Sequence, residues 1–351
     1  MNTATHLLPM EPLATYLKAL GLANNAAIQV TPLSGGQSNP SFRISAGPGQ
    51  EYVLRKKPAG VLLASAHAID REFRVMKALE QTEVPVPRML HYCESDELLG
   101  TPFYLMEFLP GRVFMDQSLP GMTPQQRQDI YRDMNRVIAA LHQVDPVQVG
   151  LGNYGKVGNY VGRQIARWSR QCLEATIPLP AAMRQLMDWL PEHLPQHEET
   201  TLVHGDYRLD NLVFHPTQAR VIGLLDWELS TLGHPIADLA YQAMAWRIPP
   251  TLWRGIAGLD LAALGIPDEA QYIAWYSSAT GRDTREHWNF YLAYNLFRMA
   301  AILHGIAQRA ADGNAAAADA EETGAKAGPL AELGLQAAKR HLAELGLPTH
   351  T

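Results

Sequence analysis

Cysteine is nearly missing from this chain: Cys93 and Cys172 are the only two among 351 residues. Two distant cysteines supply neither a disulfide framework nor a zinc site. They fit a reducing compartment, so a cytoplasmic protein is expected. Long apolar runs are missing too. No stretch approaches the roughly 18 residues of a membrane span, and Met1–Met10 lacks a basic start followed by an apolar segment. Neither a transmembrane helix nor a signal peptide is therefore expected. Positive charge is in deficit, with 29 Lys and Arg against 35 Asp and Glu and a net charge of -6. That argues against general nucleic-acid binding, which needs a basic footprint. Charged residues are only 18% and apolar ones 47%, a globular composition in a chain long enough for sizeable cores. No internal repeat is found.

The chain changes character near Gly111. Before it, residues 14–21 read as a short helix, and 23–30 and Glu51–Lys57 as strands. Between the strands lies a loop of small and polar residues, Leu33-Ser-Gly-Gly-Gln-Ser-Asn-Pro-Ser-Phe-Arg43, placed as a hairpin connection would be. Ala66–Glu80 is a helix by period, with Ile69, Phe73, Met76 and Leu79 on one face. Val84-Pro-Val-Pro is extended, and Phe103–Phe108 reads as a buried strand ended by Pro110-Gly111. After Gly111 the pattern is mainly helical: Thr123–Val144 with Thr-Pro at its start, Gly158–Ala175, Ala181–His193 and Trp288–Arg309. A strand-like island interrupts it at Thr201–Trp227. Residues 311–328, rich in Ala and Gly, read as either a surface loop or a frayed helix.

Two familiar patterns carry little. Gly150-Leu-Gly-Asn-Tyr-Gly155 matches G-x-G-x-x-G, but no convincing strand precedes it, which weighs against a nicotinamide-linked enzyme. His193 and His197 have helical metal spacing, but Pro195 between them breaks the helix.

The segment that carries chemistry is Leu202-Val-His-Gly-Asp-Tyr-Arg-Leu-Asp-Asn-Leu-Val-Phe214. An apolar run delivers His204-Gly205-Asp206, and Asn211 follows Asp206 by five residues. Fifteen residues later Leu225-Asp226-Trp227 closes another apolar run. Phosphoryl transfer needs a carboxylate for the hydroxyl proton and hard oxygen ligands for Mg²⁺; an Asp, an Asn and a second Asp at loop–strand junctions supply those types. His-Gly-Asp-x-x-x-x-Asn followed by Asp resembles the motifs of the aminoglycoside phosphotransferase and choline kinase-like family, relatives of the protein kinases. The resemblance implies that Asp206 is the catalytic base, that Asn211 and Asp226 ligate Mg²⁺, and that Arg208 stabilises the transferred phosphate. Asp238 is expected to brace the loop, and His204 to be structural.

That resemblance asks the first part for a small-residue loop over phosphates, a strand cation and a helical glutamate. Gly35, Gly36, Gln37 and Ser38 stand in the loop position, where glycine lets backbone approach phosphate. Strand period puts Val53 and Arg55 on one face and Leu54 and Lys56 on the other, so Arg55 falls in the lysine slot, with Lys56 or Lys57 as alternatives. Glu72 is the candidate partner of that cation. Phe103–Gly111 resembles the hinge, which implies adenine contacts from Met106, Glu107 and Leu109. The order of these features is collinear with the family over roughly residues 35–240. The wider sequence is similar to a subgroup containing the kinase-like domain fused to some acyl-CoA dehydrogenases.

The implied fold is α+β and bilobal, protein-kinase-like. The β-rich N-lobe is expected over residues 1–106, the hinge over 107–111 and a mainly helical C-lobe over 112–351. The implied activity is transfer of the γ-phosphate of ATP, with Mg²⁺, to a hydroxyl of a small-molecule acceptor. A nucleotide-binding pseudokinase is the competing reading, and the intact Asp206, Asn211 and Asp226 oppose it. Residues 111–200 hold nine acidic and nine basic residues, which is not the acidic lining a polycationic aminoglycoside would favour. Lys156, Arg163, Arg167 and Arg170 read as a solvated helix face or as a stripe for an anionic acceptor such as a hydroxyacyl-CoA.

Overall fold

The structure, a computed structural model, describes residues 8–24, 27–33, 39–58, 68–314 and 319–348. The loop Gly35–Ser38 lies outside the described residues. The chain divides into two compact units, Met1–Arg112 with Leu212–Leu229, and Val113–Asn211 with Ser230–Thr351.

The chain begins with α1 (Met10–Ala19), β1 (Gln29–Pro32), β2 (Ser41–Ser45), β3 (Glu51–Lys56), α2 (Ile69–Leu79), β4 (Met89–Cys93) and β5 (Phe103–Glu107). The strands form one antiparallel sheet in the order β1-β2-β3-β5-β4. Leu13 and Leu17 of α1 join Phe42, Ile44, Leu54, Phe103 and Leu105 in one core. Each such side chain removed from water contributes on the order of 1.5–3 kcal/mol. Strand alternation then turns Arg55, next to core-facing Leu54, to the other face. There it meets α2, whose buried positions include Glu72 among Ile69, Val75, Met76 and Leu79.

The second unit opens with α3 (Pro124–Gln143), α4 (Tyr160–Glu174), α5 (Ala181–Glu192) and β6 (Thr201–Val203). Thr123 and Gln126 form a reciprocal capping box at the start of α3, and Pro124 occupies its first turn. The chain then leaves for the hairpin β7 (Leu212–Phe214) and β8 (Val221–Leu224). The sequence reading placed all of 112–351 in the second lobe, yet Leu212–Leu229 groups with the first unit. The reason is backbone pairing: Arg112 and Phe214 exchange two N–H···O bonds of 2.8 Å, and the Leu224 N–H donates to Pro85 O at 2.8 Å. Gly111 makes the approach possible, since a Cβ there would fall 2.4 Å from Phe214 O.

The chain returns with β9 (Thr231–Gly233), paired with β6, followed by α6 (Pro235–Ala243), α7 (Leu261–Leu264), α8 (Glu269–Thr280), α9 (Trp288–Ala311), α10 (Ala320–Ala325) and α11 (Ala327–Glu344). Helix α9 is buried almost continuously from Trp288 to Ala301 and forms the spine of this unit. The stretch Gly150–Gly155 follows α3 rather than a strand, so it does not open a dinucleotide-binding βαβ unit. His193 stacks on Trp189 with ring centroids 4.4 Å apart, which gives it a packing role at the end of α5. No helix among the described residues is long and apolar enough to cross a membrane.

Candidate active site

In the first unit the candidate residues converge on Glu72. Register pairs Arg55 of β3 with Tyr104 of β5. The Arg55 Nε lies 2.9 Å from Glu72 Oε2, and the Tyr104 hydroxyl donates to that oxygen at 3.0 Å. Asn39, which follows the Gly-rich loop, donates from Nδ2 to Glu72 Oε1 at 2.9 Å. Glu72 is 1% exposed. Burial pushes its carboxyl above the usual carboxylate range, and Arg55 opposes that push. The other arm of Arg55, Nη2, donates to Asp226 Oδ1 at 3.1 Å. Asp226 follows β8 with φ +64°, a left-handed conformation that is uncommon outside glycine and concentrates at functional sites. Its side chain is 34% exposed.

Lys56 points elsewhere, donating to Leu99 O at 2.9 Å. Strand alternation therefore selects Arg55 as the cation beside Glu72. Met106 is buried on β5, and the N–H groups of Glu107 and Phe108 are bonded to Arg88 O and Glu51 O. Leu109 rests on Gly223, whose absent side chain makes room for it.

In the second unit, β6 delivers His204, Gly205 and Asp206 into a turn. Gly205 adopts φ +81° there, where a side chain would be strained. Asp238 of α6 grips this turn, accepting the N–H of His204 at 2.8 Å and of Gly205 at 2.9 Å. Burial pushes the Asp238 carboxyl up, but its hydrogen bond from His142 and its interactions with His204 outweigh that and hold it below the ordinary range. Burial lowers the pKa of His142. As a neutral ring it donates from Nε2 to Asp238 Oδ2 (3.2 Å) and accepts at Nδ1 from the Tyr276 hydroxyl (2.7 Å). His204 Nδ1 accepts the Asp206 N–H at 3.2 Å, a structural duty.

The Asp206 carboxylate is 15% exposed. Its Oδ1 accepts from the Tyr241 hydroxyl at 2.6 Å and lies 3.2 Å from Arg208 Nε. Its Oδ2 has a contact of 3.2 Å from Asn211 Nδ2, which also donates to Asp206 O at 2.8 Å. Arg208 stands between Asp206 and Asp210, and Asp210 also accepts from Arg254. The sequence assigns no role to Tyr241, Arg298 or Tyr104, and places Asn39 only within the small-residue loop, not on Glu72. Of the basic stripe, Arg163 on α4 donates to the carbonyls of Gly158 and Lys156, while Lys156, ahead of the helix, and Arg167 and Arg170 on it are exposed.

Acyl-CoA dehydrogenase family member 10 of Mus musculus is 46% identical over 332 residues, covering 94% of this chain and 31% of that protein. The chain thus spans about a third of the length of that relative. A crystal structure from Ralstonia eutropha JMP134, provisionally named an aminoglycoside phosphotransferase, is 51% identical with a TM-score of 0.85, covering 94% of this chain and 98% of that one. The fold, a β-sheet N-lobe with a helical C-lobe, is shared with wild-type aminoglycoside 2'-phosphotransferase-IIIa in its GDP complex. That likeness has a TM-score of 0.62 at 16% identity, over 93% of this chain and 99% of that one. The sequence pattern of the phosphotransferase enzyme family matches residues 29–287, and the chain belongs to that family.

Proposed function

We propose that this chain is an ATP- and Mg²⁺-dependent small-molecule kinase. The observation that carries the reading is the Asp206 carboxylate, with Oδ1 held by Tyr241 and Arg208 and Oδ2 meeting a single long contact. Asp206 takes the proton of an acceptor hydroxyl at Oδ2. The acceptor oxygen forms a bond to the γ-phosphorus of ATP as the bond to the β,γ-bridging oxygen breaks, and ADP leaves with that electron pair. Such transfer rests on positioning and on charge stabilisation. Arg208 is the cation for the transferred group. Arg55, fixed by Glu72, is the cation for the nucleotide phosphates. Gly35, Gly36, Gln37 and Ser38 are assigned to the same phosphates from sequence, and Met106, Glu107 and Leu109 to the adenine.

The donor chemistry fits Mg²⁺. Asn211 uses its amide nitrogen on Asp206 and keeps its hard amide oxygen for a ligand; Asp226 uses Oδ1 on Arg55 and keeps its second carboxylate oxygen. The ion would neutralise phosphate charge. For the acceptor, we favour an anionic alcohol such as a hydroxyacyl-CoA over an aminoglycoside. The relative's name is an acyl-CoA dehydrogenase, and the balanced charge of residues 111–200 is not a polycation site. An ATP-consumption screen over aminoglycosides, amino alcohols, sugars and hydroxyacyl-CoAs tests this. ADP release with a hydroxyacyl-CoA supports it, selective use of an aminoglycoside overturns the acceptor class, and no turnover with any acceptor opposes the kinase reading.

A further inference from the structure

Helix α6 presents two side chains one turn apart to the loop that carries Asp206. Asp238 and Tyr241 are three residues apart, so they share a helix face. Asp238 takes the backbone N–H groups of His204 and Gly205, and Tyr241 reaches one residue further to the carboxylate itself. We propose that Tyr241 is the positioning residue that decides which oxygen of Asp206 faces the acceptor. The inference rests on the kinase reading above.

Three observations support it. First, the hydroxyl has one role available. Burial raises the pKa of Tyr241 well above that of an ordinary phenol, so it remains a donor, and a carboxylate can only accept. The 2.6 Å separation is that of a strong charge-assisted bond. Second, the ring is itself anchored. The Arg298 guanidinium lies 4.9 Å from its centroid and donates from Nη2 to Gly205 O at 2.6 Å. Arg298 is buried, comes from α9, and ties tyrosine and loop to the spine of the unit. The His204–Asp206 turn is thus held by Asp238 at the N–H groups of His204 and Gly205, by Arg298 at the Gly205 carbonyl and by Tyr241 at the Asp206 side chain. Third, the two oxygens are inequivalent. Oδ1 has Tyr241 and Arg208, whereas Oδ2 has the 3.2 Å contact from Asn211. With Oδ1 engaged, Oδ2 has capacity for an acceptor proton. Loss of the Tyr241 bond frees the carboxylate to rotate and spreads the reactive oxygen over non-productive positions.

The test is Tyr241→Phe, which keeps the ring over Arg298 and removes one oxygen. ADP release from Mg·ATP, with water as the acceptor, gives kcat and KM, and calorimetry gives the affinity for Mg·AMP-PNP. The expected result is a fall in kcat of about 10- to 100-fold, the scale of a misplaced reacting group, with nucleotide affinity within about 2-fold. An unchanged kcat overturns the inference, and so does a parallel loss of kcat and nucleotide affinity with a lowered melting midpoint, which marks a merely structural role. A second readout needs no deletion: 3-fluorotyrosine at position 241 should change its ¹⁹F shift when Asp206→Ala is introduced, and an unmoved resonance contradicts the contact. If the parent protein neither binds Mg·AMP-PNP nor releases ADP, the kinase reading fails. If the parent turns over, Asp206→Ala is inactive and Tyr241→Phe matches the parent, the Tyr241 inference alone fails.

Discussion

Glu72 and Asp206 are both carboxylates beside an arginine, one in each unit, and their surroundings give them opposite duties. Glu72 is 1% exposed, and both its oxygens are engaged by Asn39, Arg55 and Tyr104. Asp206 is 15% exposed with one oxygen lightly held. A fully satisfied buried carboxylate rigidifies what surrounds it, because each partner would be left unpaired if it moved. A half-satisfied one at the surface can accept a proton from something that arrives. The same pairing of residue types thus gives an anchor for a cation in one place and a candidate base in the other.

The comparison breaks most visibly at Asp206. Asp206→Ala should lower turnover by about 100- to 10,000-fold, the usual worth of a general base, with a stability cost of about 1–3 kcal/mol for the buried Tyr241 hydroxyl left unpaired. Steady-state ADP release and a urea titration measure both, and turnover within a few-fold of the parent removes Asp206 from its role. Glu72→Gln should act chiefly on the fold. It removes the charge from a buried pair, and a loss of about 3 kcal/mol is expected, the lower end for a broken buried pair because Arg55 keeps Asp226. Chemical denaturation with no change in midpoint would show that Glu72 is no anchor.

The cation is the sharper test of strand register. Arg55→Ala should raise the KM for ATP by about 10-fold or more, whereas Lys56→Ala should stay within about 2-fold. The reverse ranking would mean that Lys56, which bonds to Leu99 O, is the working cation. A further effect is on pH. Burial lowers His234 to about 4 and His341 to about 4, below the value near 6.5 of an unfolded histidine. The unfolded chain then binds more protons between those limits, so stability is lost as pH falls from about 6.5 toward 4. A melting midpoint equal at pH 7 and pH 5 would contradict this.

What was legible in the sequence follows physical range. Local periods announced β3, α2, β5 and α9 to within a few residues, because period two and period 3.6 are written in neighbouring side chains. Arg55 was singled out by strand alternation read against the family's strand pattern, and Asp206, Asn211 and Asp226 by a spacing that resembles the family's motif. Tyr241 and Arg298 meet the loop from 35 and 93 residues away; Tyr241 looks like any core tyrosine, and only a charge set in the apolar run of α9 marks Arg298, without naming its partner. The contacts of Asn39, read only as part of the loop, and of Tyr104 were hidden for the same reason: their duty is set by Glu72, which only the packing of α2 on the sheet brings to them. The separation of Leu212–Leu229 from the second unit depends on the Arg112–Phe214 pairing, which no local pattern encodes.

The claim at the centre of this account is that nucleotide holding and proton acceptance belong to different carboxylates. Calorimetric titration of Mg·AMP-PNP into the parent, Asp206→Ala and Asp226→Asn proteins tests it directly. Asp206→Ala is expected to bind as the parent does, while Asp226→Asn, short of one carboxylate charge for the metal, is expected to bind about 10-fold or more weakly. Loss of binding in Asp206→Ala with parental affinity in Asp226→Asn would contradict it.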